Sequence, residues 1–168
     1  MSGLLARELL ACLLLLFVAS SAAAERLPIR IYTAEDGLAH VNVRRIVRDP
    51  RGFLWFCTID GLSRFDGAEF VTYRTGDGLP DPWVTDLLTT RDGTYWVATN
   101  GGVARFDGLT RHYPRDAQRQ AEQRGRSFSS VAFEGSAKQR QVRVLLEDRA
   151  GRVWAGAVGG LSMLDRRV

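Results

Sequence analysis

Apolar residues in this chain come in runs of four to six, broken by short glycine, proline and aspartate turns. Leu27 to Thr33 alternates apolar and polar positions, the pattern of a half-buried strand. Val43 to Arg48 follows as a short strand, with Val43, Ile46 and Val47 apolar. Asp49-Pro-Arg-Gly52 has the composition of a turn. Phe53 to Thr58 is apolar on both faces, as expected of a strand covered on both sides. Asp60-Gly61 turns the chain into Leu62 to Phe65, and Asp66-Gly67 turns it again into Glu69 to Tyr73. Short strands at this spacing predict an antiparallel four-stranded unit, here labelled A to D in chain order.

The unit repeats. Arg51 to Gly67 returns 41 residues later as Asp92 to Gly108, and a weaker copy runs from Ala150 to Asp165. Trp55, Trp96 and Trp154 are equivalent, as are Asp66, Asp107 and Asp165. So are Gly52, Gly93 and Gly151, and Gly61, Gly102 and Gly160. Phe65 matches Phe106, and Gly67 matches Gly108. The second unit supplies Trp83 to Leu88, Tyr95 to Thr99 and Val103 to Phe106. From Trp96 to Trp154 is 58 residues, so 17 are inserted between these two units.

The insert has two possible placements. Leu109 to Tyr113 could be strand D with the insert after it, or Phe128 to Val131 could be a displaced strand D with the insert before it. Either way Arg115 to Arg124 belongs to the insert, and its polarity suits a loop. The third unit supplies Val142 to Leu146, Val153 to Ala157 and Leu161 to Leu164. By the same offset Leu27 to Thr33 is the strand D of a preceding unit. Four-stranded units with a period near 40 residues predict an all-β fold of β-propeller blades. About three blades are expected, an incomplete propeller: a blade over 43–73, a second over 83–131 with its insert inside 109–131, and a partial one over 142–165.

The residues Gly37-Leu38, Asp49-x-x-Gly52-x-x-Trp55-x-x-Thr58 and Gly61-Leu-x-x-Phe-Asp-Gly67 resemble the two-component regulator propeller repeat. That resemblance implies the periplasmic sensor region of a histidine-kinase-type receptor, followed in a full-length parent by a transmembrane helix and kinase modules. Departures from the pattern are local. Cys57 and Ala98 stand where the family usually has glycine two residues after the tryptophan, and only Gly156 conforms. The third unit has Ser136-Ala137 in place of Gly-Leu, and Leu164 in place of phenylalanine.

Residues 1–24 read as an export signal: Arg7, an apolar run from Leu9 to Val18, and a small-residue stretch with Ala22 and Ala24 at the A-x-A positions. Retained uncleaved, the same run could serve as an anchor, although it is short for a membrane span of about 20 residues. The expected location is therefore periplasmic or otherwise exported. Most of the apolar run follows Cys12, which argues against a lipoprotein site there. Cys57 is then the one cysteine left after the leader, so packing and not a disulfide must stabilise the fold. The net charge of +4 is carried almost wholly by arginines spread over every repeat, which favours a solvated surface over a nucleic-acid partner.

Candidate chemistry is sparse. The repeated tryptophans could stack on a sugar, but core between blades is the simpler role. Asp49 and Asp148, each ahead of Gly-x-x-Trp, suit a tied-down turn, and Thr90 takes the place in the second unit. Cys57 has no cation fixed beside it in sequence and reads as an inert core thiol. His40 and His112 lack ligand-like spacing, so neither a metal nor a cofactor is expected. Binding is better sought where the repeats differ. In an antiparallel meander the D-to-A and B-to-C connections share one face, which gathers His40, Asn42, Asp60, Asp81, Trp83 and Asn100 as ligand-binding candidates. The expected function is ligand sensing without catalysis by this chain, the partner being a small molecule or glycan. The alternatives are a fragment of a propeller glycosidase or lyase, and a truncated reading frame.

Overall fold

The computed structural model describes residues 27–106, 127–131 and 136–164. They form three antiparallel sheets. The first holds β1 (Val43–Arg48), β2 (Leu54–Thr58), β3 (Gly61–Phe65) and β4 (Phe70–Tyr73) in chain order. The second holds β5 (Val84–Thr89), β6 (Tyr95–Thr99), β7 (Gly102–Phe106) and β8 (Phe128–Val131). The third holds β9 (Val142–Glu147), β10 (Val153–Ala157) and β11 (Gly160–Leu164), preceded by a single helical turn, α1 (Ala137–Arg140). Each sheet is one blade.

The fourth strand of the second blade is Phe128–Val131, whose Phe128 lies opposite Phe106 and Val131 opposite Val103. The insert therefore precedes strand D. Leu109 to Tyr113, the competing strand, lies outside the described residues, as do Arg115 to Arg124, His112, Asp107, Gly108 and Asp165. The leader, residues 1–24, lies outside them too. Among the described residues no helix is long and apolar enough to cross a membrane.

Every blade has a front and a back. The front of the first, with Trp55, Cys57, Leu62 and Tyr73, packs on the back of the second, with Leu87, Tyr95, Val97, Ala104, Phe106 and Phe128. The front of the second, with Trp96, Ala98 and Val103, packs on the back of the third, with Val142, Leu145, Val153, Ala155 and Leu164. Trp55 anchors the first interface, fully buried, with Tyr73 stacked at 6.0 Å and Phe106 edge-on at 5.5 Å. Burying a side chain of that size contributes a few kcal/mol, and each interface is built around one.

The front of the third blade is bare. Leu161 is 68% exposed, whereas its equivalents Leu62 and Val103 are fully buried. Met163, Val144 and Leu146 are exposed beside it. The three sheets do not close into a ring, so the chain is an incomplete propeller.

The segment before the first blade differs from expectation. Leu27–Ile31 belongs to a separate unit, carries no strand assignment, and exposes Leu27, Ile29 and Ile31. Alternation marks a segment able to pair, but a strand exists only through ladder hydrogen bonds, and no described strand pairs with 27–33. Tyr32, in the main unit, packs edge-on against Phe65 and Phe70 on the back of the first blade.

The Gly-Leu pair of each repeat has a clear local cause. A 3-10 turn, Ala34–Asp36 or Thr75–Asp77, leads from one blade to the next. Asp36 accepts the Thr33 amide and Asp77 the Arg74 amide, each at 2.8 Å. Gly37 and Gly78 then close these turns with φ near +100°, a left-handed conformation open mainly to glycine. Leu38 and Leu79 follow and are buried.

Candidate functional site

The aspartate ahead of each tryptophan is a structural hub, not an exposed acid. Asp49 is buried, and its Oδ1 accepts the amides of Arg51 at 2.9 Å and Phe53 at 3.0 Å, closing the A-to-B turn. Its Oδ2 accepts the Trp55 indole N–H and, from the neighbouring blade, the Tyr95 hydroxyl, both at 2.9 Å. Burial, with the Asp49 carboxylate as hydrogen-bond partner, pushes the Tyr95 phenol up to about 12. Asp148 repeats the arrangement with the Ala150 and Arg152 amides and the Trp154 indole. The indole and the Arg152 amide hold its carboxyl well below the usual carboxylate range.

The middle blade departs from this pattern. Thr90 spends its hydroxyl on Asp92 at 2.6 Å and on the Thr94 carbonyl, and the Trp96 indole N–H is buried with no hydrogen-bond partner. Across the next interface Val153 stands where Tyr95 stands across the first. The two losses match: Thr90 offers no carboxylate, and Val153 brings no hydroxyl.

The D-to-A and B-to-C connections lie together. The Gly61 amide, in the B-to-C turn of the first blade, donates to the Pro82 carbonyl at 2.7 Å. The Asn100 amide donates to the Trp83 carbonyl at 3.1 Å. Gly101 sits so close to Asp81 and Pro80 that a Cβ there would come within 2.8 Å of each. Asp60 is paired with Arg74, which also reaches the Ala39 carbonyl beside His40. The structure thus gathers Asp60, Asp81, Trp83 and Asn100 on one face.

His40 and Asp81 do the same local work at the entry to strand A. His40 Nδ1 accepts the Asn42 amide at 2.9 Å, and Asp81 Oδ1 accepts the Trp83 amide at 2.8 Å. Trp83 is the bulky apolar group of this face, 37% exposed.

Three arginines complete the face, and none was singled out from the sequence. Strand A of every blade carries a one-residue bulge, leaving Arg44, Thr85 and Arg143 as the extra residue in β1, β5 and β9. The Arg44 guanidinium lies over the Trp83 ring at 5.7 Å, and Arg143 Nη1 donates to Asn100 Oδ1 at 3.2 Å. Arg74 is the third, through its pair with Asp60. The signal that could have found the first two is their shared repeat position beside charges that break the apolar pattern of strand A.

The A strands are joined by one buried acid. Asp86 in β5 is fully buried, pairs with Arg45 of β1 at 3.0 Å and accepts the Leu145 amide of β9 at 2.8 Å. Burial raises its carboxyl above the usual range, against the opposing pull of the Leu145 amide and Arg45. Cys57 is buried close by, and desolvation together with the Asp86 charge pushes its thiol up to about 12. Neither group is placed to act on a ligand from solvent. A cleft of about 410 Å³ between β1 and β5 is lined by Arg45, Arg48 and Asp49, but Asp49 there is committed to its four donors.

Sheets of this form, packed front to back through repeated tryptophans, define a propeller-repeat protein. Residues 37–60 and 78–101 match the two component regulator propeller family, so the chain carries repeats of that family in its first two interblade segments. Solved structures share the fold. The extracellular domain assigned to a one component system of B. thetaiotaomicron matches at 19% identity and TM-score 0.62, over 89% of this chain and 18% of its own. Two extracellular domains assigned to hybrid two component systems of the same organism match at 22% and 17% identity, with TM-scores of 0.60 and 0.58. They cover 84% and 83% of this chain, against 19% and 18% of their own. The chain thus spans less than a fifth of the length of these domains. No curated protein matches the sequence.

Proposed function

We propose that this chain is an exported segment of the ligand-sensing propeller of a two-component receptor, and that it performs no catalysis itself. The observation that carries the reading is the repeat match in register, on a fold shared with extracellular domains of such receptors. The loop face around Trp83 is the place where a small molecule or glycan would bind. Occupancy there would favour one arrangement of the blades and so bias a membrane segment further along the parent chain. The leader over residues 1–24 would deliver the propeller to the periplasm.

The reading is tested by fusing alkaline phosphatase after Val168 and by reading the coding sequence beyond that codon. Phosphatase activity, an exported product beginning near Glu25, and further Trp and Phe-Asp-Gly units leading to an apolar span support it. An inactive fusion, or a frame without further repeats, overturns it.

A further inference from the structure

The loop face holds a row of groups that runs across all three blades. Arg44 of the first blade lies over Trp83 of the second, Trp83 is tied through its carbonyl to Asn100, and Asn100 accepts a hydrogen bond from Arg143 of the third. Arg44 and Arg143 are the extra residues of equivalent strand bulges, so the same backbone irregularity delivers both guanidiniums to this face. The carboxylates nearby are engaged elsewhere: Asp60 pairs with Arg74, and Asp81 accepts the Trp83 amide. Among the described residues no carboxylate pairs with Arg44 or Arg143.

A guanidinium stacked on an indole keeps its N–H edge free, and that edge matches the geometry of an oxyanion. An exposed indole offers a flat apolar face of the size of a sugar ring. We infer that the Arg44–Trp83–Asn100–Arg143 row is a binding subsite for an anionic sugar, its ring on Trp83 and its carboxylate or sulfate between the two guanidiniums. The assignment rests on the sensing role proposed above and names the ligand class of the same face. Asn100 positions Arg143 and leaves that guanidinium donors to spare. Thr85, the third bulge residue, turns inward to the Val142 carbonyl at 2.7 Å, which keeps the middle of the row neutral and open to the ring.

The test is calorimetric titration of the full chain with three tetrasaccharides: tetragalacturonate, a sulfated chondroitin tetrasaccharide and neutral cellotetraose. At least one anionic probe should bind at least tenfold more tightly than the neutral one, with an affinity that falls as salt is added. Which anionic probe binds separates carboxylate from sulfate as the recognised group. Arg44→Gln and Arg143→Gln should each weaken that binding about tenfold, the scale of one lost charge-assisted hydrogen bond at an accessible site. Trp83→Ala should weaken every bound probe, and Trp83→Phe should restore part of the loss. Both arginines are exposed, so these variants should keep the urea midpoint of the parent chain.

Equal binding of neutral and anionic probes, or anion binding indifferent to both arginine variants, overturns the assignment while leaving the sensor reading to the phosphatase fusion. Binding of none of the three probes overturns it as well.

Discussion

Asp49 joins a turn, a buried indole and the neighbouring blade through a single carboxylate, so small changes to it should read out strongly. In Asp49→Asn one oxygen can still serve the Arg51 and Phe53 amides. The new amide group then faces the Trp55 indole, donor against donor, in a place where Trp55 is fully buried and no water can substitute. Leaving a buried donor without an acceptor costs about 1–3 kcal/mol, and losing a charged acceptor sits at the upper end. The Tyr95 hydroxyl can rotate to accept from the amide, so its share of the loss is partial. We expect a cost of about 2–3 kcal/mol. With a urea slope of roughly 2 kcal/mol per molar, that lowers the unfolding midpoint by about 1 M.

Tyr95→Phe keeps the ring packing and removes one charged hydrogen bond, at a cost of about 1.5–2 kcal/mol. Because the two side chains bond directly at 2.9 Å, the double variant should lose about 1 kcal/mol less than the sum of the single ones. Asp148→Asn is the internal comparison. Its carboxylate is partly exposed and Trp154 is only part-buried, so water replaces much of what is lost and the midpoint shift should be clearly smaller. Urea unfolding followed by tryptophan fluorescence measures all four. Equal shifts for Asp49→Asn and Asp148→Asn, or strict additivity of Asp49→Asn with Tyr95→Phe, would refute the hub.

The remaining expectations concern the middle interface, the bare front face and the titrating groups. Thr90→Asp should supply the missing acceptor for the Trp96 indole and raise the urea midpoint by the equivalent of about 1 kcal/mol; an unchanged or lower midpoint argues against that account. Leu62→Ala should cost about 2–5 kcal/mol and Leu161→Ala less than about 0.5 kcal/mol, although the two positions are equivalent in the repeat. A similar cost for both would mean that the front of the third blade is covered in solution.

Cys57 and Tyr95 both have folded values near 12, above ordinary values near 9 and 10. The unfolded chain therefore releases these protons first, so their stabilisation is complete below about pH 9 and is lost as pH rises toward 12. In a Cys12→Ser background the thiol should resist a thiol reagent at pH 8 until urea unfolds the chain. Fast labelling of the native protein would count against burial of Cys57. At the other end of the scale Asp66 and Asp148 are held below the usual carboxylate range, so their contribution is lost as pH falls below about 4.

The blades were legible in the chain because their causes are local. Strand alternation, glycines needed for left-handed turns, and an aspartate three residues before Gly-x-x-Trp each act within a few residues, and their recurrence fixes the unit. Gly52, Gly93 and Gly151 all adopt φ between +81° and +92°, as a turn repeated in sequence requires. The shared face of Asp60, Asp81, Trp83 and Asn100 was legible for the same reason, since meander topology alone places those connections together.

What the tertiary structure decided depends on partners distant in sequence. Two segments, 109–113 and 128–131, had the composition of strand D, and only pairing with β7 selects Phe128–Val131. Leu27 to Thr33 alternates like a strand yet has no described ladder to join. Equivalent residues also part company through packing: Asp86 is buried because two other blades close over it, while Val144 at the same repeat position is exposed. Arg44 and Arg143 look like scattered surface charge along the chain. They become a paired feature of one face only when two strand bulges and three blades are assembled, because the periodicity of one strand carries no information about the register of its neighbours.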